Sequence, residues 1–151
     1  MSSIEKPEAL AQLIGRLDKL RPDTPRRWGK MSAGEMLCHL SDVSTGVLSR
    51  AGSPPGRPPR RLVKWIGLYS PFPWPKGRIK TPRRADPQAE GTRPADFEQD
   101  RRRAVEGLKA LSSAPDSGFP GDHLVFGAMD PREWRRWAYR HTHHHLRQFG
   151  L

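Results

Sequence analysis

Apolar residues recur with helical spacing in four stretches of this chain. Between Pro7 and Leu20, the positions Leu10, Leu13, Ile14, Leu17 and Leu20 follow the i, i+3, i+4, i+7 rhythm that gathers side chains on one helical face. Pro7 suits a first helical turn, and Pro22 and Pro25 end the run. A second helix is predicted from Ser32 to about Arg50. Ser32-Ala33-Gly34-Glu35 reads as a capping box, in which the serine accepts from a backbone N–H and the glutamate reaches back. Met36, Leu40, Val43 and Val47 form its apolar side, and Glu35, His39, Asp42 and Gly46 an adjoining stripe. His39 therefore falls at the edge of the buried face. A third helix is predicted over about 94–111, with Phe97, Ala104, Val105, Leu108 and Leu111 inward. The fourth opens on Asp130-Pro131-Arg132-Glu133, with an acidic cap and proline at the first position, and runs to about Phe149. Trp134, Trp137, Ala138, His141, His145 and Phe149 share its stripe, with Gln148 close by. His143 lies opposite, among Arg136, Arg140 and Arg147, and is expected to face solvent.

The stretch 52–92 breaks this rhythm. Its prolines forbid a long helix, although a short one over about 60–68 fits. Trp65, Tyr69, Phe72 and Trp74 sit there among Arg60, Arg61, Lys64, Lys76, Arg78, Lys80, Arg83 and Arg84. A connection this long is commonly functional or disordered, and its aromatics favour a loop packed over the helices. The turn-rich segment 112–127 shows no strand pattern. The predicted architecture is all-α: one domain, 1–151, forming a four-helix bundle with a long Pro-rich basic crossover between the second and third helices.

Composition narrows the setting. The chain has 151 residues, a hydrophobic fraction of 34% and a net charge of +11. No apolar run approaches the ~20 residues that span a bilayer. No signal-peptide core opens the sequence, and the single cysteine, Cys38, excludes an intrachain disulfide. A cytoplasmic location is expected. The charge favours anionic partners, from nucleic acid to a carboxylate-bearing small molecule, without choosing among them.

The chemistry concentrates near the end. Four of the six histidines fall within 141–145. On a helix, His141 and His145 are one turn apart and project together, which makes half of a transition-metal site. His144, at i+3 from His141, remains an alternative ligand. The plainer reading is that these imidazoles are polar filling at a helix interface. Cys38 neighbours His39, but consecutive helical residues diverge by ~100°, so no Cys–His pair forms and a small packed side chain is expected.

Two motifs carry a family resemblance. Trp28-x-x-Met31-Ser32-x-x-Glu35-x-x-x-His39-Leu40-x-Asp42 resembles the second-helix signature of DinB-like proteins, and His141-x-x-His144-His145-x-x-Gln148 resembles their fourth-helix signature. Pro71-Phe72-Pro73-Trp74-Pro75-Lys76-Gly77, Phe126-Gly127 and the ending His144-His145-Leu146-Arg147-Gln148-Phe149-Gly150 resemble one DinB-like subgroup over nearly the whole chain, from which no activity carries over. The resemblance implies an up-up-down-down bundle holding a divalent metal on His39, His141 and His145. Zinc fits best, with nickel, iron or manganese as alternatives. Members of the wider superfamily include S-transferases and isomerases that use low-molecular-weight thiols.

Three imidazoles leave coordination positions open, and an open site can deprotonate a thiol or lower the pKa of water to roughly 7. The expected function is thus a metal-dependent enzyme that activates a thiol or water against a small, anionic electrophile. Glu35 and Asp42 are candidate catalytic carboxylates; their plainer roles are a cap and a surface or ligand-orienting acid. His144 and Gln148 are candidate outer partners of the ligands. Trp74 and Trp137 are pocket candidates. His123 reads as an ordinary polar loop residue. The rival readings are a nucleic-acid-binding bundle with a structural metal, which lacks a recognised motif, and a non-catalytic interaction protein. A homodimer is compatible with the aromatics.

Overall fold

The computed structural model describes residues 2–77 and 80–151, and every structural statement below concerns these; Arg78, counted above among the basic loop residues, lies outside them. The fold is mostly helical. Its long helices are α1 (Pro7–Leu17), α2 (Ala33–Leu48), α4 (Phe97–Ser113) and α5 (Pro131–Gln148), with a one-turn α3 (Arg61–Lys64) in the crossover. The third and fourth helices of the sequence reading are α4 and α5.

Local chemistry sets the boundaries. The Ser32 hydroxyl accepts from Glu35 N–H at 3.2 Å while Ser32 N–H donates to the Glu35 carboxylate at 2.8 Å, closing the capping box on α2. Asp130 and Glu133 repeat the device on α5, with Pro131 at the first position. α1 ends at Leu17 instead of Leu20, because the chain tightens into a turn in which Leu20 N–H donates to the Leu17 carbonyl at 3.1 Å; Leu20 stays buried. α4 begins at Phe97, three residues later than expected. Asp96, in extended conformation, caps it by accepting from Gln99 N–H at 2.7 Å.

α2 pairs most extensively with α4, while α1 packs on α4 and α5. One apolar cluster runs through them, with Leu13, Leu17, Met36, Leu37 and Leu146 fully buried. Two additions were not visible in the pattern. Asp122–His123 and Gly127–Ala128 form a minimal antiparallel pair, β1 and β2. The short crossover helix widens into a π-turn over Trp65–Tyr69, with Ser70 N–H donating to the Trp65 carbonyl at 2.8 Å. Gly67 lets the Phe126 ring approach this turn closely: a Cβ there would lie 2.5 Å from that ring.

Polar contacts tie parts of the stretch 52–92 to α5. Arg140 of α5 donates to the carbonyls of Gly67, Ser70 and Phe72 at 3.1, 3.2 and 2.6 Å. Lys64 meets the Glu133 carboxylate at 2.6 Å. No described helix is long and apolar enough to cross a membrane.

Candidate metal centre

α2 and α5 bring His39, His141 and His145 to one point. The Nε2 atoms of His39 and His141 are 3.2 Å apart, and those of His145 and His141 3.3 Å. The candidate ligand atoms of all three lie within 4.8 Å of one another. His39 is fully buried, where the pattern placed it at an edge, because the returning crossover covers it. Its Nδ1 donates to the Ala85 carbonyl at 2.7 Å. On the far side, His145 Nδ1 donates to Gln148 Oε1 at 2.6 Å. Gln148 is held in turn: its backbone carbonyl accepts from Arg27 N–H at 2.6 Å, and its amide packs on Gly29. Gly29 has φ +88°, and a Cβ there would fall 2.6 Å from the Gln148 amide nitrogen.

These outer bonds decide the tautomers. With Nδ1 protonated on His39 and His145, both Nε2 atoms present lone pairs inward. Facing lone pairs repel unless a proton or a cation stands between them. Nitrogen ligands at roughly 2.05 Å from a tetrahedral ion are about 3.3 Å apart, and the two short separations match that. Burial, first, and the neighbouring imidazoles, second, hold His141 well below the usual histidine range; burial and His39 do the same for His145. Neutral imidazole is the ligating form. The donor set therefore fits a borderline divalent cation.

A family model described as the DinB superfamily matches residues 5–149. The chain belongs to the DinB superfamily. No curated protein and no solved structure matches it. Membership and the buried three-histidine cluster together are compatible with a metal-dependent protein.

Around the triad of this DinB-superfamily chain, aromatic rings pack against the imidazoles. His141 stacks on Trp137 with centroids 4.8 Å apart and planes 20° apart. Trp74 lies 6.3 Å from His141 and is anchored by its indole N–H to the Gly67 carbonyl at 2.7 Å. Trp137 also lines a cavity of about 10 Å³ beside His141, room for one water. Trp74 instead lines a larger cleft of about 190 Å³.

The other candidates take different places. His144 joins the triad through ring contact alone, 5.4 Å from His145, and packs between Trp28 and Trp74. Gln148, not His144, is the hydrogen-bond partner of a triad imidazole. Glu35 is occupied by the cap and by Gln88, whose side-chain N–H groups donate to it at 3.2 and 3.4 Å. Asp42 accepts from Thr92 N–H and hydroxyl, both at 2.7 Å. Both carboxylates thus tie the returning crossover to α2 on either side of His39, and neither is hydrogen-bonded to the triad. Cys38 is buried, its thiol pushed up to about 12 by desolvation and then by Asp100.

Two expectations are corrected. His143 is half-buried, not solvent-facing, because Arg16 of α1 donates to its Nδ1 at 2.8 Å and Tyr139 stacks on it at 5.9 Å. His123 is no ordinary loop polar residue: β1 inserts it among Phe126, Trp134 and Trp137 at 5.0–5.4 Å. Sequence reading also missed Ala85, whose contribution is a backbone carbonyl with no residue-type signal.

Proposed function

We propose that this chain is a metal-dependent enzyme of the DinB class, in which His39, His141 and His145 hold a divalent ion, zinc by preference. The finer architecture belongs to the same reading: a single up-up-down-down four-helix domain with the crossover joining its halves, working in the cytoplasm. The observation that carries it is the convergence of three imidazoles, two of which, His39 and His145, have their outer nitrogens tied down. A divalent ion there supplies Lewis acidity that favours the anionic form of a thiol or water at neutral pH. The residues do the rest. Ala85 and Gln148 orient two imidazoles and keep their lone pairs inward. Trp137 fixes the third by stacking, and Trp74 and Phe126 lower the local polarity. The reaction class favoured is attack of a low-molecular-weight thiol, or of water, on a small electrophile.

The nucleic-acid reading rests on charge and on the aromatics interleaved with basic residues in the crossover. Several cations it would need are already engaged: Arg50 and Arg57 by Asp122, Lys64 by Glu133, Arg135 by Asp116, Arg140 by carbonyls. An exposed phosphate groove requires cations free to exchange partners.

The test is elemental analysis of tag-free protein beside His39→Ala and His145→Ala, followed by thiol consumption with an aryl halide. Near-stoichiometric metal in the parent, lost in both variants together with turnover, is the expected result. A parent that stays metal-free after reconstitution near pH 7.5 would remove the reading. Turnover unchanged in His145→Ala would remove the enzyme at this centre.

A further inference from the structure

The cleft of about 190 Å³ beside the triad has a composition that selects a ligand. One wall is Pro71, Pro73 and Trp74 of the crossover; the other is the outward side of α5, with Arg140, His143 and Arg147. Both walls come from acid-free sequence. No Asp or Glu occurs from Val43 to Ala85, nor from Trp134 to Leu151. No carboxylate lines the cleft among the described residues.

Of the four polar side chains, His144 packs between Trp28 and Trp74, and the other three are prepared in different ways. Arg140 is immobilised by three carbonyls, so its charge is met by dipoles and persists as a positive field at the floor. His143 accepts from Arg16 at Nδ1, which leaves its proton on Nε2 as the ring's remaining donor. Arg147 is exposed at the mouth. Trp74 offers a rigid aromatic face, fixed by its bond to Gly67. In size, a cavity of roughly 150 Å³ accepts benzene, so the cleft has room for one aromatic ring with a small polar substituent.

We propose that this cleft binds a small planar carboxylate, its ring against Trp74 and its anion at Arg147. The placement gives the site a purpose. His144 separates cleft and triad, lying 5.6 Å from Trp74 and 5.4 Å from His145. Trp74 itself is 6.3 Å from His141. A molecule held here by its anion would present its far end toward the triad. The proposal rests on the function above for the fate of the ligand, but the binding step needs no metal.

The experiment titrates benzoate, with benzamide as its neutral isostere, into chelator-treated protein at low salt, followed by NMR. Metal removal keeps the carboxylate from reporting on the triad. Benzoate is expected to bind at least ten-fold more tightly than benzamide. Arg147→Gln, an exposed change that spares folding, is expected to erase that preference and leave benzamide unaffected; Trp74→Ala is expected to weaken both. His145→Ala is expected to bind benzoate normally, so failure of the metal reading leaves this result standing. Equal binding of the two probes, or a preference untouched by Arg147→Gln, overturns the proposal. So does benzoate binding that appears only when metal is restored.

Discussion

At the scale of single residues, the fold buries histidine in ways that composition does not announce. His123 is the clearest case away from the triad. Burial, then Arg50, holds it down to about 4, with Asp122 opposing. The consequence for stability has a definite sign. Between about pH 6.5 and 4 the unfolded chain takes up a proton that folded His123 refuses, so stability falls as pH falls across that window. Below about 4 both states are protonated and the loss is complete. A shift of this size corresponds to roughly 3 kcal/mol at full expression. His123→Phe keeps the ring packing on Trp134 and Trp137 and removes the titration. Urea denaturation at pH 7.5 and pH 4.5 should show a smaller drop in the variant than in the parent. Equal drops would mean that His123 does not carry this linkage.

At the scale of elements, the stripe Glu35, His39, Asp42 on α2 works as a unit. It is read by the crossover through Gln88, Ala85 and Thr92 in turn. Asp42→Ala removes the acceptor for Thr92 N–H and hydroxyl. Because this pair is largely exposed, the cost should stay near 1 kcal/mol. The sharper sign is local: amide exchange across 83–92 should quicken while α2 and α4 stay protected. Unchanged exchange there would dismiss the anchoring role. This stripe also marks the limit of what sequence could show. The capping boxes at Ser32 and Asp130 were legible because they are local, and so was the phase that joins His141 to His145. The site's second half was not. Ala85 is 46 residues from His39 and acts through its backbone. Arg16 reaches His143 across 127 residues. The start of α4 at Phe97 was not legible, because the apolar stripe does not mark a boundary and the Asp96 bond to Gln99 N–H decides the cap. Two-residue strands carry no period at all.

At the scale of the whole molecule, the candidate centre stitches together parts that are distant in sequence. α2 and α5 give the imidazoles, and the crossover gives Ala85, while the α1–α2 connection supports Gln148 through Arg27 and Gly29. The unfolded chain cannot reproduce this constellation. A ligand bound only by the folded state stabilises it by mass action, about 2.7 kcal/mol when free metal is one hundred times its dissociation constant. For a domain of this size, that corresponds to a rise in Tm of roughly 5–10 °C. Calorimetry of chelated protein against a buffered zinc series should show Tm climbing with the logarithm of free metal. His145→Ala should flatten the slope without matching the full loss of stability, since Leu146 and Phe149 still pack beside it. The measurement belongs at about 0.15 M salt, where screening limits self-repulsion from the net charge of +11. A slope that survives His145→Ala would place the metal on other residues, such as His144 beside it. A flat series for the parent would mean that the inward lone pairs of His39 and His145 are met by a proton on His141 Nε2, and that the centre is a structural knot between helices.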